Sequence, residues 1–579
     1  WGTHAHAFAR PLHWLVMLLG DDVVEATLFG VRADRMSRGH RFMHDKTVWI
    51  ARPDEYVEAL RAAKVLVDPD ARRACIVDGV NAAAERAGGT ARIDPDNLAQ
   101  VECLVEWPYA VLCSFEADFL EVPHEALVAT METNQKFFPV LDAAGALDRH
   151  FVGVANIAPA DDGRIRQGYE RVIRPRFSDA RFFFVEDRKQ GLASMQAGLA
   201  QVTYQARLGS VADKTARVAT LAAAIAPRVG VDAALAQRAA AVSKADLQSR
   251  LVNEFPELQG IAGRHYAMLD AGLLDLGHDR RHALALAIDE AYQPRVAGDA
   301  IATSALGKVL AIAERLDTLA GGFAAGLKPT GNKDPFALRR TALGLARTLI
   351  EGGLELDLRD LLVDAVQGAA EAIALSALRA KVSAADEARS RGVAVDGGQS
   401  VARSTSLEQS EELYDFILDR LRGYYAERDV SAGQFNAVAA LRPRSLYDFD
   451  RRLDALAAFA ALPDAEALSA ADKRIRNILR KAEGVVPDSV DATLLQEPAE
   501  QALADAVDAL YADTDAALHA GDYSGVLARL ALLRPQVDGF FDAVMVNVED
   551  AALRSNRLAL LARLASRMGS VAAIGQLSG

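Results

Sequence analysis

The amino-acid sequence predicts a multidomain, mainly α fold with an α+β N-terminal part, and three observations predict it. At 579 residues the chain has room for about three or four domains of ordinary size. Hydrophobic residues make up 51% of it, with Ala and Leu abundant, which suits long helices with buried faces. Beyond about residue 190 apolar positions recur with helical spacing almost everywhere, whereas before it short apolar runs alternate with helical stretches.

Region by region, 1–190 reads as α+β. The runs His13–Leu19, Val48–Ile50, Ala110–Cys113 and Phe182–Val185 are expected as short strands, the first of them buried. Stretches 54–66 and 71–87 are expected as helices, with turns at Gly88-Gly89 and Asp161-Asp162-Gly163. Residues 191–383 read as a helical domain. The segment 384–410, rich in Ala, Ser, Gly and Arg, reads as a linker or insertion. Residues 411–579 read as a second helical domain.

Two of these helices have a local mechanism. In Pro329–Arg340, Asp334 is placed as an N-cap and Pro335 suits the first helical position, where its missing N–H costs nothing. Arg339 and Arg340 then leave the first turn, where they suit phosphate or a partner carboxylate. Near the C-terminus, Ile475, Ile478, Leu479 and Ala482 recur at i, i+3, i+4 and i+7, an apolar stripe for burial. Lys473, Arg476 and Arg480 occupy the other side, which makes that side cationic.

The net charge of −14 argues against a nucleic-acid partner only if charge is spread evenly, and it is not. Arg164, Arg166, Arg171, Arg174, Arg176, Arg181, Arg188 and Lys189 form one basic run, and Arg442, Arg444, Arg451 and Arg452 a second. Three cysteines without a C-x-x-C pair suit a reducing compartment and exclude a thiolate zinc site. No apolar run is read as long enough to span a bilayer, and no signal pattern opens the chain. The missing initiator Met and the opening Trp1-Gly2-Thr3 suggest a fragment lacking its N-terminal region.

The strings Ala470–Leu479 and Phe540–Asp550, followed by Leu553–Leu561, resemble the helical anticodon-binding domain of certain aminoacyl-tRNA synthetases. Further strings widen the resemblance. They include Phe8–Trp14, Ser37–Phe42, Met131–Phe138, Ser243–Leu247, Val252–Gly260, Ile288–Pro294, Arg315–Leu319 and Pro329–Arg340. Together they resemble, over essentially the whole chain, the beta subunit of bacterial heterotetrameric glycyl-tRNA synthetases. The resemblance implies a degenerate HD-like helical domain at 191–383 and a C-terminal helical anticodon-binding bundle. It implies a tRNA-recognising subunit of a cytoplasmic glycine–tRNA ligase, with tRNA(Gly) and an alpha subunit as partners in an α2β2 heterotetramer and no membrane. Catalysis, with its ATP and Mg, falls to the alpha subunit, and no cofactor is expected on this chain. The candidate tRNA-binding residues are Lys473, Arg474, Arg476, Arg480, Arg554, Arg557, Arg339 and Arg340, and no catalytic residue is expected.

Residues missing from the chemistry agree with this division. There is no Gly-x-x-x-x-Gly-Lys-Ser/Thr loop for a triphosphate. An HD-type hydrolase needs clustered His and Asp around a metal, but Lys244-Ala245-Asp246 stands where the His-Asp pair belongs, with Asp317 as the distal Asp. A lysine among carboxylates repels a divalent cation, so no metal ligand is expected. His40 and His44 are expected to pack rather than chelate, since no third ligand accompanies them. Asp472 departs from the Asn usual in the family string, a conservative change if it caps the helix. The rival readings are an HD-type metal phosphohydrolase and an assembly scaffold that does not touch RNA.

Overall fold

The computed structural model describes residues 12–390, 404–482 and 485–577. Helices dominate it, and its chain divides into two compact units: the chain up to Gly191 with Leu247–Leu269, and Leu192–Asp246 with Asp270–Gly579. The expected middle region, 191–383, is therefore interrupted, because 247–269 leaves it.

The first unit is built on a four-stranded antiparallel sheet. Its strands are β1 (Thr90–Ala91), β2 (Tyr109–Ser114), β3 (Phe138–Leu141) and β4 (Leu147–Ala155), in the order β1-β3-β4-β2. Alternation along β4 sets the two faces. Val152 joins a core with Ile76, Val80, Ala83 and Ala84 of helix α1 (Pro69–Arg86) and Leu98 and Val101 of α2 (Pro95–Leu104). Phe151 faces the other way, stacked on Phe137 at 4.9 Å. On the Phe151 side, Gly153 lets the Tyr169 ring approach so closely that a Cβ there would sit 2.5 Å from it. Tyr169 belongs to α3 (Gly163–Gln190), which buries one stripe, Ile173, Phe177, Ala180, Phe184 and Asp187.

The first unit differs from expectation at two places. Phe182–Val185 is helical, not a strand, because Phe184 extends the buried stripe of α3. His13–Leu19 holds two two-residue strands, and Trp14, Met17 and Leu19 are exposed rather than buried. Of the family-like string Phe8–Trp14, residues 8–11 lie outside the described residues, as do His4 and His6.

Asp187 fastens the returning segment to this unit. Its carboxylate is fully buried and accepts from the backbone N–H groups of Arg250 (3.1 Å) and Leu251 (3.0 Å), Nη1 of Arg250 (2.9 Å) and the Tyr266 hydroxyl (3.0 Å). With Ser249 capping the Val252 N–H at 3.1 Å, the first turn of the helix Arg250–Glu254 is satisfied.

The second unit is a stack of helices. Its labelled members are α4 (Val211–Ile225), α5 (Ala305–Ala324), α6 (Leu338–Glu351), α7 (Leu358–Ser390), α8 (Ser404–Ala426), α9 (Ala465–Lys481), α10 (Pro498–His519) and α11 (Ala551–Met568). Helix α5 lies at the centre of the middle layer, packed by α4, α6, α7 and α8. Of the expected linker 384–410, residues 384–390 and 404–410 are helical, and 391–403 lie outside the described residues. One stretch, Leu358–Arg379, is long and apolar enough to cross a membrane by length and composition, contrary to the sequence expectation. Here it packs on α5 and α8 and buries Leu361, Leu362, Ala365, Val366 and Ala369.

Replacing Asp187 by Ala leaves four donors short of their acceptor. Chemical denaturation of the full chain should show the first unit destabilised by roughly 3 kcal/mol. An unchanged unfolding curve would mean that the returning segment is held by other contacts.

Candidate nucleic-acid interface

Helix α9 carries most of the candidate residues. Asp464 precedes it, and its inner side buries Ala465, Leu468, Ser469, Asp472 and Ile475. Ile478 and Leu479 are only half-buried. The outer side exposes Lys473, Arg474, Asn477, Arg480 and Lys481, positions that fall on one surface at helical spacing. Lys481 was not singled out from the sequence, because it lies beyond the repeating string; here it is exposed with no hydrogen bond or ion pair among the described residues. Arg474 lies over the ring of Phe541, 3.9 Å from its centroid. That contact joins the two strings that were informative in the sequence.

Other candidates are engaged within the fold, Arg476 while remaining exposed and Arg557 in the core. Arg476 donates to the Asp472 carboxylate (2.8 Å) and to the Ala565 carbonyl of α11 (3.2 Å), so it ties two helices together. Asp472 is not an N-cap. It sits in mid-helix, fully buried, and accepts from Arg476 and from the Gly575 N–H (3.0 Å). Arg557, a candidate tRNA contact whose place amid Leu553, Leu558 and Leu561 also suits a structural role, is a core residue: it is buried, paired with Glu500 of α10, and donates to the Met545 carbonyl at 2.7 Å. Asn556 is buried too, bracing the Asp491 backbone. Arg554 donates to the Val548 carbonyl (2.7 Å), and Asp550 caps α11 through Ala552 and Leu553. The Phe540–Asp550 string is thus held by α11 side chains.

Asp334 and Pro335 need a similar adjustment. Helix α6 begins at Leu338, after Ala337 in a left-handed conformation, so Pro335 is not its first residue. Asp334 still caps it, accepting from the N–H groups of Leu338 and Arg339, both at 2.9 Å. Arg339 donates to the Gly331 carbonyl at 2.6 Å, whereas Arg340 is exposed with no hydrogen bond or ion pair among the described residues.

The two basic runs have different fates. Arg442 pairs with Glu411 and Asp415, and Arg444 with Asp357. Arg451 donates to the Gly521 carbonyl, and Arg452 bonds Asp448, Ser570 and Val571. That run binds the fold together. The first run lies on α3, where Arg164, Arg171, Arg176 and Arg181 are exposed and make no hydrogen bond or ion pair among the described residues.

At the HD-like position the structure has a closed cluster of charge. Lys214 lies 3.1 Å from Asp317 and 3.2 Å from Glu314, Lys244 lies 3.5 Å from Glu314, and Arg217 donates to Asp317 at 2.6 Å. Lys244 also sits 3.7 Å from the centroid of the Tyr292 ring. Burial would raise the Glu314 carboxyl, but Lys214 and Lys244 outweigh it and hold it at about 2. Burial lowers the Lys244 ammonium, with Lys214 adding to the effect, while Glu314 and Asp317 carry Lys214 upward against its burial. The ammonium groups occupy the space among the carboxylates, an arrangement that neutralises charge and does not activate water. Among the described residues no group of three or more His, Cys, Asp or Glu is placed to hold a metal ion. His40 is buried, with Nε2 at 2.6 Å from the Asn156 carbonyl and Nδ1 accepting from Phe42 and Met43, a packing role.

A family model described as glycyl-tRNA synthetase beta subunit matches residues 1–440, and one described as DALR anticodon binding domain matches 468–572. The chain is similar to the glycine–tRNA ligase beta subunit of Xanthomonas campestris pv. campestris strain 8004, 63% identical over 578 residues, 100% of this chain and 78% of the relative. The corresponding subunit of Xylella fastidiosa strain 9a5c is 58% identical over 100% of this chain and 79% of its own length. That of Pseudomonas aeruginosa strain LESB58 is 46% identical with the same coverage.

Replacing Lys214 by Met strands Asp317 and Glu314 with fewer cations and should cost roughly 3–5 kcal/mol, read from urea unfolding. Because the folded Glu314 carboxyl is held below its ordinary 4.5, its stabilising contribution is complete above that pH and is lost as pH falls toward about 2. Urea unfolding of the variant across that window should show the loss setting in at higher pH.

Proposed function

The chain belongs to the glycyl-tRNA synthetase beta-subunit family, and on that premise we propose that it recognises tRNA(Gly) through the outer face of α9. The observation that carries the reading is the cationic surface of that helix within the segment matching an anticodon-binding domain. Lys473, Arg480 and Lys481 supply charge for phosphates, and Asn477, whose Oδ1 accepts from Arg480 at 3.0 Å, offers its amide N–H groups to base edges in an unstacked loop. Arg474, held flat on Phe541, presents a planar guanidinium on which a base can stack.

Within the ligase, the beta subunit's part is to bring the tRNA and keep its register. The alpha subunit performs the ATP- and Mg-dependent activation of glycine and its transfer to tRNA, in a cytoplasmic α2β2 assembly. Three free cysteines suit that compartment. The self-neutralised lysine–carboxylate cluster supports this division, because it removes the chemistry that a phosphohydrolase would need.

The test is tRNA(Gly) affinity across a salt series for the Lys473→Ala, Arg480→Ala double variant. Affinity should fall, and the salt slope should flatten by about 0.7–0.9 per lost phosphate contact. Charging by the reconstituted complex should show a higher KM for tRNA with kcat little changed. Parental affinity and slope in the folded variant would take α9 out of the interface and favour an assembly scaffold.

A further inference from the structure

In the second unit, α6, the C-terminal half of α8 and the loop Pro294–Ala297 enclose a cleft of about 640 Å³. Arg339, Arg340, Arg347, Arg420 and Arg428 line it with Tyr424, while Glu427 is the lining carboxylate. In a chain of net charge −14, five arginines from two helices and their flanks meet at one concavity.

These arginines divide into a floor and a rim. Arg347 is fully engaged, donating to Glu351 (2.7 Å) and to the carbonyls of Ala297 (2.7 Å) and Asp299 (2.8 Å). The Tyr424 hydroxyl donates to the same Glu351 at 3.0 Å, and the Arg428 guanidinium lies 3.9 Å over the Tyr424 ring. This floor is rigid, with its charge partly cancelled by Glu351. The rim is different. Arg340 makes no hydrogen bond or ion pair among the described residues, Arg339 reaches only the Gly331 carbonyl with Nη2, and Arg420 pairs with its neighbour Asp419 while its buried Nε finds no partner.

We propose that this cleft holds a stretch of RNA backbone, with Arg340 and Arg420 on phosphates and the Arg428–Tyr424 pair beneath a base or ribose. It is a second contact with the tRNA, distinct from α9, and it rests on the RNA-binding reading above. Guanidinium forks match phosphate oxygens in pairs, and the fixed floor lowers the ordering cost of binding. An open, nucleotide-sized concavity with a flat cationic face suits a single-stranded or looped segment better than a duplex, whose bases are not available for stacking.

The full chain is titrated with tRNA(Gly) across a salt series, as Arg340→Ala, Arg420→Ala and the Lys473→Ala, Arg480→Ala variant, alone and combined. Each cleft variant should bind about tenfold more weakly and lose about 0.7–0.9 of salt slope, additively with the α9 variant and with unchanged melting. Arg340→Lys should restore the slope but only part of the affinity, since Lys lacks the fork. Parental affinity and slope in both cleft variants, with binding lost in the α9 variant, would overturn the cleft and leave α9 standing. Weakened association with the alpha subunit at unchanged tRNA affinity would make the cleft a protein contact and overturn the proposal. No effect from either set would overturn both readings.

Discussion

Helix Ala305–Ala324 is packed on every side and yet carries Glu314, Arg315 and Asp317 in a single turn. Unpaired charge in such a place costs several kcal/mol per group, so the surroundings must supply neutralisation. Much of the middle layer follows from that requirement. Lys214, Arg217 and Lys244 converge on the two carboxylates. Arg315 is answered by the carbonyls of Ala291, Ala311, Tyr292 and Pro294, which also closes the end of the helix Gly277–Glu290. Gly344 of α6 is needed where it is, for a Cβ there would sit 2.7 Å from Arg315 Nε. Strings that stood out in the sequence as unusual are the components of this one neutralised core.

The C-terminal bundle applies the same rule differently. Arg557 and Glu500 neutralise each other inside it, and Arg476 and Asp472 do so one turn apart along α9. The exposed cations of α9 are then the ones that face solvent. Counting arginines overstates a binding surface, because arginine serves equally well as an internal clamp on carbonyls. Arg451 and Arg452, which together reach Gly521, Ser570 and Val571, are the plainest example.

What could be read in the sequence were the features set by local chemistry. The burial of Ile475 in α9, the capping role of Asp334 and the lysine among carboxylates at 244 each follow from neighbours within a few residues, although Ile478, Leu479 and Ala482 of the expected stripe are only half-buried. The misjudged features depend on distant partners. Phe182–Val185 has the composition of a strand, but Phe184 is needed on the buried stripe of α3, stacked near Tyr266 at 5.6 Å. Arg557 has the look of a surface cation until Glu500, more than fifty residues earlier, is brought against it. Asp472 sits where a cap was expected because α9 begins earlier, at Ala465. Of the arginines lining the cleft between α6 and α8 only Arg339 and Arg340 stand out in the sequence, since the two halves of the cleft lie on either side of a long intervening helix.

The return of Leu247–Leu269 to the first unit has a consequence for how the chain is made. Asp187 emerges from the ribosome well before Arg250 and Tyr266, the groups that satisfy it. At about 5–20 residues per second, the N-terminal unit waits several seconds for its last piece. Meanwhile Leu192–Asp246, which belongs to the other unit, is already exposed with only its own helices Val211–Ile225 and Ala233–Val242 to pack on each other. A fragment cut at residue 191 preserves this unfinished state permanently. The shortest N-terminal piece with a completed core ends at Leu269, and it carries Leu192–Asp246 as a helical segment cut off from the rest of its own unit.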